Sequence, residues 1–256
     1  SAASPRYGAA RLPLASRSIP WGQLHDNGPL TVVVFNSFLW RTPYDALKDL
    51  RPLTTIAFMP LVLMTSAEKG PATLEELMRR ARRPDARVNY GSSGIGSLAH
   101  LTGFEFARRG KLDMTHIPYQ GGSLVATGLL QGDIQCSFVT SIESASLVQS
   151  GKMRVLGVAA RHRLPSLPNV PAIAEELPGF ESVLWFAAFA PKGTREDDAK
   201  RLRDALVKAV ESPEFRKYLA DHYAEAKAST PEELTQLVRR DMLHWADVAR
   251  TARISM

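Results

Sequence analysis

Cysteine is almost missing from this chain: Cys136 is the only one in 256 residues. No disulfide can close within the chain, and no metal site can be built on thiolates. Disulfide-stapled scaffolds and zinc ribbons are thereby excluded. Long apolar runs are missing too, with no stretch of the roughly 20 apolar residues that a membrane-crossing helix needs. No cluster of His, Asp and Glu has metal-ligand spacing, and neither internal repeats nor low-complexity tracts occur. Nor is charge of one sign segregated. Lys and Arg number 32 against 26 Asp and Glu, a formal charge of +6. The two signs are interleaved, as in "REDDAKRLRDALVKAVE". The basic runs Arg79–Arg83 and Arg108–Lys111 fall at expected helix ends, where cations complement the helix dipole. A nucleic-acid binder concentrates its charge on one face, so no nucleic-acid partner is expected. The basic excess favours small anions instead.

What is present is a rhythm. Residues 1–25 are irregular, rich in Pro, Gly, Ser and Arg without a period. "PLTVVVFNS" reads as a buried β-branched strand ending at Asn36 and Ser37. Strand material follows around Ile56–Phe58 and Leu61–Met64, then an amphipathic helix opened by Thr73 with Glu76 three residues on, a capping box. From Val88 short strands and helices alternate: "VNY", a helix starting near Ser97, "MTHIPY", a helix stopped by Gly132, "IQCSFV", "IESASLVQSG" and "MRVLGVAA". Repeated strand–helix–strand units predict an α/β fold with mostly parallel sheets flanked by helices. "RLPSLPNVPAIAEELPGF" is an ordered loop, "SVLWFAAFAP" a buried strand, and the chain from Arg195 onward is helical.

Glycines gather where strands give way to helices. In "YGSSGIGS" the loop from Gly91 to Ser97 lies between a strand and a helix, where free N–H groups and the positive dipole end suit an anion. Ser92, Ser93, Gly94 and Gly96 are the candidate contacts; a tight turn with Ser97 as plain N-cap is the alternative. "PYQGGS" repeats the design with Tyr119, Gly121, Gly122 and Ser123. Asn36, Ser37 and Thr140 also end strands, the place where a parallel sheet opens its binding crevice. Gly94–Ala99 also matches the G-x-G-x-x-A form of the dinucleotide fingerprint, with Asp113 downstream, and so keeps a nucleotide-dependent enzyme in play. Asp113 opens its strand, however, whereas the ribose-binding acid belongs at a strand's carboxyl end. "GSSGI" lacks the last glycine of a hydrolase nucleophile turn. His100 and His116 could in principle serve Ser92 or Ser93, but His100 is assigned to a surface or lobe interface.

The segments "VNYGSSGIGSLAHLTGFEF", "MTHIPYQGGSLVATGLLQGDIQCSF", "GKMRVLGVAARHRLPSLPNVPAIAEELPGFESVLWFAAFAPKGT" and "TPEELTQLVRRDMLHWADVARTARI" together resemble the Bug-type extracytoplasmic solute receptors. These are the substrate-binding components of tripartite tricarboxylate transporters. The resemblance runs from Asp26 to Ile254. It implies a two-lobed Venus-flytrap α/β fold, with lobe I from 26–90 and 187–256 and lobe II from 91–186. It implies no catalysis and no cofactor. The implied ligand is a small organic carboxylate gripped by backbone N–H groups and ordered waters, and the implied partners are membrane transporter subunits. Periplasmic localisation follows from the resemblance, since no signal peptide is read in the chain.

Two departures stand out. The family's opening strand, its "PFPPGG"-type loop and first helix have no counterpart in residues 1–28, so lobe I is expected to be incomplete at its amino end. That raises two further readings, a homodimer through the lobe I edge and a degenerate or sensor receptor without a transport role. Where relatives carry an acid after the residue matching Phe138, this chain has Val139, which argues against an amino-acid ligand.

Overall fold

The structure is a computed structural model and describes residues 33–34 and 45–254. The irregular segment 1–25 and the candidate contacts Asn36 and Ser37 lie outside the described residues. Of the expected strand "PLTVVVFNS", only Val33 and Val34 are described, and they form part of a π-helical turn packed in a core.

A one-turn helix α1 (Ala46–Asp49), capped by the Asp45 carboxylate, delivers the chain into β1 (Leu50–Ser66). This 17-residue strand is the axis of the molecule. Its first part pairs antiparallel with β6 (Val183–Pro191), from Leu50↔Pro191 to Pro60↔Val183, and at Ala57 and Phe58 with the short β7 (Glu225–Ala226). Its second part pairs antiparallel with β4 (Cys136–Thr140) on one side and β5 (Met153–Val158) on the other. The partner switch falls at Pro60, which has no N–H to give a ladder; Leu61 then donates to Ser182 O. Pro52 likewise sits beside a shift of register.

Beyond β4 the sheet is parallel. β2 (Val88–Ser92) lies between β4 and β3 (Met114–Pro118), in the order β3-β2-β4-β1-β5. Helices α2 (Leu74–Ala81), α3 (Leu98–Gly110), α4 (Gly122–Gln131) and α5 (Ser141–Gln149) link these strands. The outcome is mixed pairing. β4–α5–β5 is a crossover unit split by β1, which arrives from the other sheet and therefore runs against its neighbours.

Strand alternation explains the layers. Leu61 and Leu63 point to one face, into a core with α2, Phe106, Phe138 and Phe180. Val62 and Met64 point to the other, against Val125 and Leu129 of α4. All four are essentially inaccessible to water. A separate core joins Trp185 of β6 to Leu234, Val238 and Trp245 of α8 (Pro231–Thr251). Helices α6 (Glu196–Val210) and α7 (Pro213–Asp221) complete that half. The expected division at Tyr90 cuts through a single core, because Leu61, Leu77, Val88 and Tyr90 pack together with Phe106 and Cys136. The change of core lies within β1, where it changes partners. The proline-rich stretch is ordered, as expected: Arg163 grips the Glu175 carboxylate with two hydrogen bonds of 2.8 Å.

Candidate functional site

The carboxyl ends of β2 and β3 lie side by side, since Ser92 pairs with Pro118, and β4, parallel to β2 with Gly91 opposite Ser137, runs on past them to Thr140. β2 and β3 each run into a loop and a helix N-terminus, and β4 passes directly into its helix at Thr140, so three helix openings fall on the same side of the sheet. Open α/β sheets bind ligands at such edges.

The first loop is fixed by its own hydrogen bonds. Gly94 (φ +149°) and Gly96 (φ +78°) adopt backbone shapes that side chains resist. Ser97 caps α3 by accepting from His100 N–H at 3.2 Å, and its hydroxyl donates to Gly94 O at 2.8 Å. Ser92, fully buried, places its hydroxyl 2.9 Å from Gly94 O and accepts from Gly94 N–H at 3.2 Å. Gly96 N–H donates to His100 Nδ1 at 3.1 Å. The N–H groups of Ser93, Ile95, Leu98 and Ala99 take no partner among the described residues. Ser93 is exposed.

The second loop is tied to the first through Tyr119 N–H, which donates to Ser92 O at 2.9 Å. Gly121 (φ +107°) caps α4 without a side-chain bond, so the first N–H groups of that helix, from Gly122 and Ser123, stay open. A Cβ added to Gly94, Gly121 or Gly122 would meet nothing within 4 Å among the described residues. By contrast, a Cβ on Gly91 would strike Ile134, and one on Gly103 would strike Tyr90. Glycine serves close packing inside the sheet layer and leaves open space at its edge.

Two candidates are placed otherwise. The Tyr119 ring folds back along α4, its hydroxyl 2.5 Å from where a Cβ on Gly128 would sit. Gly128 makes room for that hydroxyl two turns from the loop. Thr140 is spent on capping α5: it accepts from Glu143 N–H, and the Glu143 carboxylate takes both the Thr140 N–H (3.1 Å) and hydroxyl (2.9 Å). The sequence "TSIE" is itself a capping box. Next to it, Ser141 is fully buried, its hydroxyl without a partner among the described residues.

His116 does reach Ser92, one of the two serines the sequence offered it, whereas the stacking of His116 on His100 was not foreseen. His100 is 8% exposed, not at a surface. Its ring stacks on His116 with centroids 3.7 Å apart and planes 11° apart, and Tyr90 flanks the pair. His116 Nε2 lies 2.7 Å from the Ser92 hydroxyl. Burial pushes both imidazoles down to about 4, helped in His116 by His100 beside it. Tyr90 and His116 face each other across the β2–β3 register, a signal that no local pattern carries. Asp113 stands at the opposite end of β3 from the loop, roughly 16 Å along a five-residue strand. It is badly placed for a ribose held at Gly94–Ala99.

A family model described as the tripartite tricarboxylate transporter family receptor (TctC) matches residues 15–253. The chain belongs to that family. Among curated relatives, the UPF0065 protein of the tcbD-tcbE intergenic region of Pseudomonas sp. (strain P51) is 31% identical over 216 residues. That match covers 84% of this chain and 64% of the relative's length. Protein BugT of Bordetella pertussis is 28% identical over 225 residues, covering 88% of this chain and 68% of BugT. Of solved structures, an R. palustris protein with adipate aligns at a TM-score of 0.78 and 28% identity, covering 88% of this chain and 76% of that one. MatC from Rhodopseudomonas palustris with bound malate aligns at 0.72 and 27% identity, covering 86% and 77%. The TctC receptor fold is thus shared over most of the chain. Among the described residues no helix is long and apolar enough to cross a membrane.

Proposed function

We propose that this chain is a periplasmic solute-binding receptor for a small dicarboxylate, serving a tripartite tricarboxylate-type membrane transporter, with no catalytic step of its own. The observation that carries the reading is the pair of glycine loops after β2 and β3. Among the described residues their N–H groups at Ser93, Ile95, Gly122 and Ser123 are unpaired, and Gly94, Gly121 and Gly122 leave space beside them. An anion there is met by helix N-termini and backbone donors, so its charge needs no side-chain cation. The adipate and malate held by the two R. palustris relatives are acids of this class. A carboxylate bridging to the other lobe would draw the two halves together about β1 and β6, and the closed surface would be what membrane subunits read.

The nucleotide-dependent reading is disfavoured by the position of Asp113. Isothermal titration calorimetry with malate, adipate, aspartate and ATP tests the assignment. Saturable one-to-one binding of a dicarboxylate, with neither aspartate nor ATP competing, is the expected result. Binding of ATP and of no carboxylate would overturn it.

A further inference from the structure

We propose that His100 and His116 are positioning residues: a stacked imidazole pair that takes up the Gly96 N–H and the Ser92 hydroxyl, and so decides which N–H groups of the first loop remain open to an anion. What the anion does there rests on the proposed function; the loop-holding role does not.

The geometry assigns each ring a separate job. His100 Nδ1 accepts from Gly96 N–H, so its proton must sit on Nε2. The Ser92 hydroxyl has a single proton and two neighbours that could take it, Gly94 O and His116 Nε2. If that proton goes to Gly94 O, His116 Nε2–H donates to the serine oxygen, and every partner is satisfied. Gly94 is then held at both its N–H and its carbonyl, and Gly96 at its N–H. The residues between and beside these anchors, Ser93 and Ile95, keep their N–H groups free. Without the anchors, Gly94 and Gly96 could turn their own N–H groups outward, and the loop would have no single shape.

The arrangement requires uncharged rings. A proton on His100 Nδ1 would replace an acceptor with a donor facing the Gly96 N–H. Two imidazolium rings at 3.7 Å would also repel at close range. The groups packed around the pair offer no compensation. Tyr90 on β2 faces both rings, Cys136 on β4 lies behind Tyr90, and both are uncharged near neutrality, with burial pushing the thiol up to about 12. No Asp, Glu, Lys or Arg bonds to either ring among the described residues. Acid should therefore loosen the loop through these two side chains.

The test compares His100→Leu and His116→Leu with His100→Asn and His116→Gln. Asparagine keeps an acceptor near the Nδ1 position, and glutamine a donor near Nε2, without a titrating ring. Amide hydrogen exchange at Gly94 and Gly96 is read on the free protein, and malate and adipate affinity between about pH 8 and pH 4 by calorimetry. The leucine variants should speed Gly96 or Gly94 exchange and weaken acid binding, each about tenfold for one lost hydrogen bond. The asparagine and glutamine variants should stay within about threefold of the parent. The parent's affinity should fall toward acid more steeply than that of the His100→Asn/His116→Gln double variant, which reports only the ligand's own protonation. Leucine variants that match the parent in both exchange and affinity would overturn the proposal. So would identical pH profiles for parent and double variant, a comparison that holds even if the leucine variants do not fold. If the parent binds neither acid, the proposed function fails, and exchange at Gly94 and Gly96 still decides the role of the rings.

Discussion

Gly122→Val isolates the second loop better than any other single change. Gly122 is the first residue of α4, its φ is not positive, and a Cβ there meets nothing within 4 Å among the described residues. Valine therefore fits without strain. Glycine is also the poorer helix former by a few tenths of a kcal/mol, so the fold should keep or slightly gain stability. The added methyl groups would occupy the space facing the N–H groups of Gly122 and Ser123. A carboxylate kept from both would lose two charge-assisted hydrogen bonds, about 3 kcal/mol at the low end, or roughly a hundredfold in affinity. Lys111→Ala is the control, because Lys111 is exposed at the far end of α3, some 20 Å along the helix from the loop. Its removal should leave affinity within about twofold. Calorimetry against malate or adipate gives the affinities, and thermal melting confirms that both variants fold. Undiminished binding by Gly122→Val would refute the role of the α4 N-terminus. Equal losses in both variants would show that diffuse positive charge holds the acid, and the loops do not.

Three other outcomes are expected. The folded histidines sit near 4 while unfolded ones sit near 6.5, so the unfolded state binds more protons between those values and stability should fall as pH drops through that window. One ring accounts for about 3 kcal/mol; a flat denaturation midpoint from pH 7 to 4.5 would contradict it. Gly103→Ala drives a Cβ to 2.2 Å from the Tyr90 ring and should cost about 1 to 3 kcal/mol while disturbing the imidazole stack, visible in chemical denaturation and in the histidine ring resonances. Trp185→Phe removes the indole N–H that donates at 2.7 Å to the buried Asp241 carboxylate, whose acidity burial already weakens. It should cost about 2 kcal/mol in the same assay, and an unchanged midpoint would show that Arg240 alone satisfies Asp241.

Local chemistry made much of this fold readable. Thr73 caps α2 as its sequence announces, accepting from Glu76 N–H, and Gly132 ends α4 with φ +88°. The strand–loop–helix order from Val88 onward follows from apolar spacing and glycine placement alone. Strand direction does not. Nothing in Leu61–Met64 says that its neighbours run against it, because alternation looks the same in either sense. The two prolines of β1 broke one strand into apparent fragments, although each stands where it costs little: Pro52 beside a register shift and Pro60 at the change of partners. Thr140 is a different case. Its capping box was written in the sequence, and the hydroxyl was assigned to ligand because it ends a strand. The histidine pair needed the register that sets Tyr90 opposite His116, and that is a property of two strands together.

Glycine placement carries the remaining argument about the site. Gly91, Gly103, Gly110 and Gly128 are small because side chains of this protein press on them. Gly94 and Gly121 are explained by their positive φ, with no reference to a ligand. Gly193 faces open space too, but in an exposed turn where any small residue serves. Gly122 escapes the first two explanations and, although exposed like Gly193, stands inside a helix and not in a turn. It lies in the first turn of a helix, has ordinary backbone angles, and touches nothing among the described residues. In a helix interior glycine costs about 1 kcal/mol against alanine, and among the described residues no contact offsets whatever part of that cost the first turn carries. A residue whose smallness the folded chain does not need is best explained by something outside the chain that approaches its backbone. On the proposed function that something is the anion, met at the opening of a helix by N–H groups unpaired among the described residues.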